Sequence, residues 1–120
     1  MAVRLILAIH VLLVSTWFGV AIAAPTQGGC LSGSMNATQY SVGSGTASGQ
    51  AFRPDGLTAA HKKLPFGTRV KLTNPRTGAS TVVTINDRGP FTRGRDIDLS
   101  RGAARAIGLT SVGTVCAEIL

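Results

Sequence analysis

Arg69-Val70-Lys71-Leu72-Thr73-Asn74-Pro75-Arg76-Thr77-Gly78-Ala79-Ser80-Thr81-Val82-Val83-Thr84-Ile85-Asn86-Asp87 is the stretch from which the fold is read. Apolar and polar residues alternate from Arg69 to Thr73, as in a half-buried strand. Asn74-Pro75-Arg76-Thr77-Gly78 is a turn, with proline and glycine at their natural positions. Residues 80–86, rich in Val, Thr and Ile, form the return strand. Side chains alternate sides along a strand, so Thr81, Val83, Ile85 and Asp87 share one side if the strand runs that far. With Val83 and Ile85 facing a core, Asp87 is expected at the rim, where partial desolvation favours a neutral, proton-donating carboxyl. Arg88 should point the other way, bracing the Gly89-Pro90 turn or holding substrate.

Upstream, Thr58-Ala59-Ala60-His61-Lys62-Lys63-Leu64-Pro65-Phe66-Gly67-Thr68 reads as an N-capped single helical turn that Pro65 ends, with His61 beside Phe66-Gly67. Residues 41–49 form a glycine- and serine-rich loop, too polar to bury and free to approach a ligand closely. Residues 37–40 read as a first strand. Downstream, Asp96 and Asp98 lie two apart, on one face of any strand. Asp98 is expected to help cap the following helix and Asp96 to be solvated or ion-paired. Ser100 caps a helix over residues 101–107, with Gly108 as the stop. Leu99, Ala103 and Ile107 form its buried face, with Ala104 alongside. Residues 112–120 read as a closing strand. Strands joined by loops and two short helices predict a small, mainly β barrel.

The first 23 residues have the layout of a secretory signal peptide: Arg4, an apolar run, then Ala21-Ile22-Ala23-Ala24. A retained membrane anchor fits less well, because His10 interrupts the run and no basic stop-transfer cluster follows. Export to the periplasm or cell envelope, with no membrane span after cleavage, is therefore expected. Roughly 97 residues remain, enough for one small domain. Residues 24–36 read as a flexible lead-in and 37–120 as the domain. The net charge of +7 falls to about +6 without Arg4, which suits anionic envelope polymers. No basic run is interleaved with aromatics, so nucleic acid is not an expected partner. Cys30 and Cys116 invite a disulfide in an oxidising compartment, closing a loop of over roughly 80 residues. A lipid on Cys30 is an alternative, although Gln27-Gly28-Gly29 lacks the apolar residue expected before a lipidated cysteine. Two isolated thiols and one histidine beyond the leader give a metal site little support, and no cofactor is expected.

Leu57-Thr58-Ala59-Ala60-His61-Lys62, Leu64-Pro65-Phe66-Gly67-Thr68, Asn86-Asp87-Arg88-Gly89-Pro90-Phe91 and Ile97-Asp98-Leu99-Ser100 resemble the rare lipoprotein A (RlpA-like) family of bacterial envelope proteins. The resemblance implies a six-stranded double-psi β-barrel with a cleft across one side. It also implies endolytic cleavage of peptidoglycan glycan strands between N-acetylmuramic acid and N-acetylglucosamine, leaving a 1,6-anhydro end without water. Carried over residue by residue, it places the catalytic aspartate at Asp87 and the family histidine at His61. Gln50, Tyr40, Arg88, Asn86 and Phe66 are the expected substrate-binding residues. Thr46-Ala47-Ser48-Gly49-Gln50-Ala51-Phe52 departs from the family pattern at Gln50, where a glutamate is usual. Gln50 can hydrogen-bond sugar but cannot exchange a proton. Full-length relatives can carry a C-terminal domain that binds stem-stripped glycan, and septal targeting by that route is not expected of this chain. The expected enzyme is a monomeric lytic transglycosylase; the alternative is an expansin-like, non-catalytic wall-binding module.

Overall fold

Alternation in the sequence becomes alternation about a barrel wall. The computed structural model describes residues 30–120, so the expected signal peptide and residues 24–29 of the lead-in lie outside the described residues. Six strands and one helix follow in order: β1 (Ser34–Tyr40), β2 (Thr58–His61), β3 (Arg69–Thr73), β4 (Ser80–Asp87), β5 (Ile97–Ser100), α1 (Arg101–Ala106) and β6 (Gly113–Ile119). The strands close into a barrel in the order β1-β5-β2-β4-β3-β6, sealed where β1 runs antiparallel to β6. Val70, Leu72, Val83, Ile85, Ile97, Leu99 and Val115 point inward and are fully buried. Lys71 and Arg69 on the other parity stay exposed. Closure leaves no free edge strand to pair with another chain. Among the described residues no helix is long and apolar enough to cross a membrane.

The expected helical turn at residues 58–63 is not formed: residues 58–61 are strand β2, so the described residues contain one helix and not two. Ala59 and Ala60 are good helix formers, but propensity is a weak prior beside tertiary pairing. β2 is gripped on both sides, parallel to β4 and antiparallel to β5, and a helix there would leave both neighbours unpaired. β1 starts at Ser34, inside the expected lead-in, because Ser34, Met35 and Asn36 pair with Cys116, Val115 and Thr114.

Helix α1 follows the expected pattern. The Ser100 side chain accepts from the Ala103 N–H at 3.2 Å, and Gly108 ends the helix at φ 68°. Ala103, Ala104 and Ile107 are buried against the barrel. Gly102 lies so close to the Asp55 backbone that a Cβ would collide with it.

Cys30 and Cys116 form a disulfide across a sequence separation of 86. It ties the start of the described chain to the closing strand. By the loop-entropy estimate such a link contributes about 4 to 5 kcal/mol. Replacing Cys30 with Ser should lower the unfolding free energy by about 2 to 5 kcal/mol in oxidising buffer. Denaturant melts of the variant and the parent check this; coincident midpoints would contradict it.

Candidate active site

The site grows from an irregularity in β4. β2 pairs Ala59 with Ile85 but Ala60 with Asp87, so Asn86 is an extra residue and β4 bulges there. Without the bulge, Asp87 would continue the inward line of Val83 and Ile85, as the alternation predicts. With it, Asp87 faces Ala60, whose partner on the other side is Asp98 of β5. Asp98 in turn pairs with Thr38 of β1. Paired residues share a side of the sheet. Thr38, Asp98, Ala60 and Asp87 therefore make a row across four neighbouring strands, opposite in parity to the buried Ala37, Leu99, Ala59 and Ile85. The two aspartates are two strand spacings apart, roughly 10 Å between Cα atoms.

Each carboxyl is held differently. Asp87 Oδ1 accepts the N–H of Ala47 at 2.9 Å and that of Arg88 at 2.8 Å. Asp87 is half-buried, and its Oδ2 accepts no hydrogen bond among the described residues. The chain then turns away at Gly89, which has φ 118° and precedes a cis Gly89-Pro90 bond. Asp98 Oδ1 accepts from Thr38 Oγ1 at 2.7 Å. Burial pushes the Asp98 carboxyl above its ordinary value, the Thr38 hydrogen bond opposes this, and the negative charge of Asp87 adds to the rise. Asp98 thus does not cap the helix as expected; Ser100 fills that position. Asp96 is exposed to solvent, as expected, and its Oδ2 also accepts the Asn36 N–H at 2.8 Å, locking β1 to the approach to β5.

Tyr40 completes this face. Its ring stacks on Phe52 with centroids 4.6 Å apart. Burial, with Asp87 and Asp98 nearby, pushes its phenol up to about 12. The loop carrying Thr46-Ala47-Ser48-Gly49-Gln50 is laid over the bulge. Besides the Ala47 contact, Ser48 N–H donates to the Asn86 carbonyl at 3.2 Å, and Asn86 Nδ2 donates to Gln50 Oε1 at 3.3 Å.

His61 ends β2 and pairs with the buried Ile97, one step beyond the row. Its Nδ1 accepts the N–H groups of both Lys63 and Leu64 at 3.0 Å. An accepting Nδ1 requires the proton on Nε2, so the ring presents an N–H donor. Burial lowers the His61 pKa, as does Arg88; Asp96 opposes, and Lys62 and Lys63 lower it further. Arg88 Nη1 donates to the carbonyls of His61 at 3.2 Å and Leu64 at 2.8 Å. Its guanidinium also lies 3.9 Å from the centroid of the Phe66 ring. Arg88 is thus the brace of the turn after β2, and Phe66, 42% exposed, carries that brace on its face. The expected residues divide into two clusters: Tyr40, Gln50, Asn86 and Asp87 around the bulge, and His61, Phe66 and Arg88 around the turn. Asp98 is the residue that sequence reading assigned elsewhere. Its spacing from Asp96 showed only a shared face, whereas its proximity to Asp87 depends on β2 lying between β4 and β5.

Because its folded pKa is lowered, His61 should stay neutral where an unfolded imidazole protonates. The stability it contributes is present above pH 6.5, the ordinary value, and is lost as pH falls from there through the folded pKa. An NMR titration of the ring should give a midpoint below 6.5 with the Nε2–H tautomer. A midpoint at or above that value would contradict the geometry.

Residues 32–119 match the lytic transglycolase family. The chain is 65% identical over 77 residues to a probable endolytic peptidoglycan transglycosylase RlpA of Synechocystis sp., covering 62% of this chain and 24% of that protein. It is 60% identical over 78 residues to the protein of the same description in Nostoc sp., covering 65% and 21%. The chain thus spans about a quarter or less of the length of these relatives. Among solved structures, the apo Clavibacter michiganensis expansin superposes with a TM-score of 0.60 at 23% identity, over 72% of this chain and 49% of that one. That likeness concerns the fold. With the barrel and the motif residues in the places described, this chain belongs to the lytic transglycolase family of double-psi β-barrels, RlpA-like in sequence.

Proposed function

We propose that the protein is an exported lytic transglycosylase that cleaves peptidoglycan glycan strands in the cell envelope. The observation that carries this reading is the pairing of Ala60 with both Asp87 and Asp98. It sets two carboxyls on one face of the barrel, and Tyr40 joins them there. Burial, with a smaller contribution from the charge of Asp87, raises the Asp98 carboxyl above its ordinary value, so Asp98 holds its proton to higher pH than a solvated aspartate.

In the reaction, Asp87 in its acid form protonates the glycosidic oxygen as the C1–O bond breaks, and positive charge develops at C1 of the muramic acid residue. The sugar's own 6-hydroxyl closes on C1, forming the C1–O6 bond. Its proton passes to the Asp87 carboxylate, which restores the acid form. No water is consumed, and the product is a 1,6-anhydro end. Asp87 is the acid/base. Asp98 is the second carboxyl, its proton stabilised by burial. Neutral His61 acts as an Nε2–H donor towards substrate rather than as a base, since protonating Nδ1 would break two backbone hydrogen bonds. Arg88 and Phe66 fix the turn that carries it. Positive net charge favours approach to an anionic wall polymer.

Gln50 favours a second reading. It stands where the family pattern given by the resemblance usually has a glutamate, and it is engaged with Asn86 rather than with either aspartate. A module that binds wall polysaccharide without cleaving it has no need of a proton-exchanging group there.

Digestion of purified sacculi, intact or stripped of stem peptides, separates the two. The enzyme should release anhydro-ended fragments detectable by mass spectrometry. Asp87→Asn should reduce that release by at least a hundred-fold, the scale of a lost general acid/base, while leaving sacculus binding in place. Undiminished release by Asp87→Asn would sink the acid/base assignment. Salt-sensitive binding with no anhydro ends from the parent protein would establish the second reading.

A further inference from the structure

Away from the row of aspartates, an open cavity of about 530 Å³ lies between the end of β1 and helix α1, a size within the range of small-ligand sites. The end of β1 supplies Gln39 and Ser41, the helix supplies Arg101 and Arg105, and the segment after the helix supplies Leu109 and Thr110. Gln39 Nε2 donates to the Thr110 carbonyl at 3.1 Å, which fastens that segment to β1 and frames the cavity. Leu109 is buried beneath it. Gln39, Ser41, Arg105 and Thr110 are all exposed, so a molecule in the cavity can reach them. Gln39 has the parity opposite to Tyr40, which stands with the aspartates, so the cavity opens on the other side of β1.

The charge of the lining says which ligand. Arg101 and Arg105 are four positions apart and share one face of α1. Asp55 uses only part of their capacity. It accepts from Arg101 Nε at 3.0 Å and Nη2 at 3.1 Å, which fixes that guanidinium and leaves its Nη1 free. Arg105 Nη1 is 3.8 Å from Asp55 Oδ1, beyond hydrogen-bond reach. One carboxylate against two guanidiniums leaves a positive charge beside the cavity, and no acidic side chain lines it. Nor does the end of the helix turn bare carbonyls towards an anion, because those of Ala104 and Arg105 accept the N–H groups of Leu109 at 2.8 Å and Gly108 at 3.2 Å. The hydroxyls of Ser41 and Thr110 add donors from two further segments of chain. A carboxylate offers two oxygens in one plane, whereas a phosphate spreads its oxygens in three dimensions and suits donors that come from several directions.

We propose that this cavity binds a phosphate ester of a small polyol, with the phosphate on Arg101 and Arg105 and the carbon chain over Leu109. The assignment does not depend on the glycan-cleaving reading, since it uses none of the side chains of that site. It gives the protein a second binding site on the opposite side of β1. Such esters occur as lipid headgroups and as free molecules, and the same donors serve for either.

NMR titration of the backbone amides with glycerol 3-phosphate, and with glycerol and acetate as controls, provides the test. Glycerol 3-phosphate should shift the amides of Ser41, Arg105 and Thr110 to saturation. Acetate should bind about five-fold or more weakly, having fewer oxygens to offer, and glycerol should not bind. Arg105→Gln should weaken glycerol 3-phosphate binding about ten-fold or more, the scale of one charge-assisted hydrogen bond. The melting temperature should not change, because so long and exposed an ion pair contributes little. Shifts that do not saturate, equal affinity for acetate, or unaltered affinity in Arg105→Gln would each overturn the site. The comparison of ligands on the parent protein stands even if the variant misfolds. Sedimentation with phosphatidylglycerol vesicles then separates the two sources. Binding to vesicles that Arg105→Gln abolishes assigns the ester to a lipid headgroup. Vesicle binding that is absent or insensitive to Arg105→Gln, beside Arg105-dependent binding of glycerol 3-phosphate, assigns it to a free molecule; either result retains the site.

Discussion

One extra residue in β4 decides what this barrel presents. The bulge at Asn86 shifts the pairing with β2 by one position, and that shift takes Asp87 out of line with the core residues Val83 and Ile85. Ala60 then becomes a spacer with a carboxyl on each side, Asp87 on β4 and Asp98 on β5. An alanine there keeps the space between the two carboxyls free of a larger side chain. The order of strands matters as much as the bulge, because only a β2 lying between β4 and β5 brings together residues 11 positions apart in the chain.

Much of the molecule surrounding this row serves to hold it. The loop over the bulge is fastened at Ala47, Ser48 and Gln50. Thr38 and Asp96 bind β1 to β5 and its approach. On the other flank, Arg88 ties down the turn after β2 through two carbonyls and the Phe66 ring, while His61 accepts two N–H groups of the same turn. Such second contacts fix side-chain geometry before substrate arrives, and preorganised polar groups contribute most to catalysis. The disulfide does the equivalent for the barrel's closure, joining Cys30 to β6.

How legible this was in the sequence varied by the range of the interaction. The β3–β4 hairpin could be read in advance, since Val70, Leu72, Val83 and Ile85 alternate around a turn marked by Pro75 and Gly78. The Ser100 cap and the Ala103, Ala104 and Ile107 face were equally readable, because both are set by neighbours within a few positions. β2 was not: Thr58-Ala59-Ala60-His61 has local helical preference, and only the hydrogen bonds from β4 and β5 make it extended. The bulge was hidden for a related reason, as no residue type at Asn86 announces a shift that pairing imposes. Asp87 and His61 were legible as candidates through their motifs. Asp98 was not, because its relation to Asp87 is one of barrel topology.

The charge of Asp87 is felt by the Asp98 carboxyl across Ala60, in addition to the larger effect of burial. Carbon-13 NMR titration of the Asp98 carboxyl, in the parent protein and in Asp87→Asn, tests it most directly. With the neighbouring negative charge removed, the Asp98 midpoint should fall from its raised value towards the ordinary aspartate range while remaining above it, because burial persists. An Asp98 midpoint identical in the two proteins would mean that the carboxyls do not sense each other, and the paired site would be wrong.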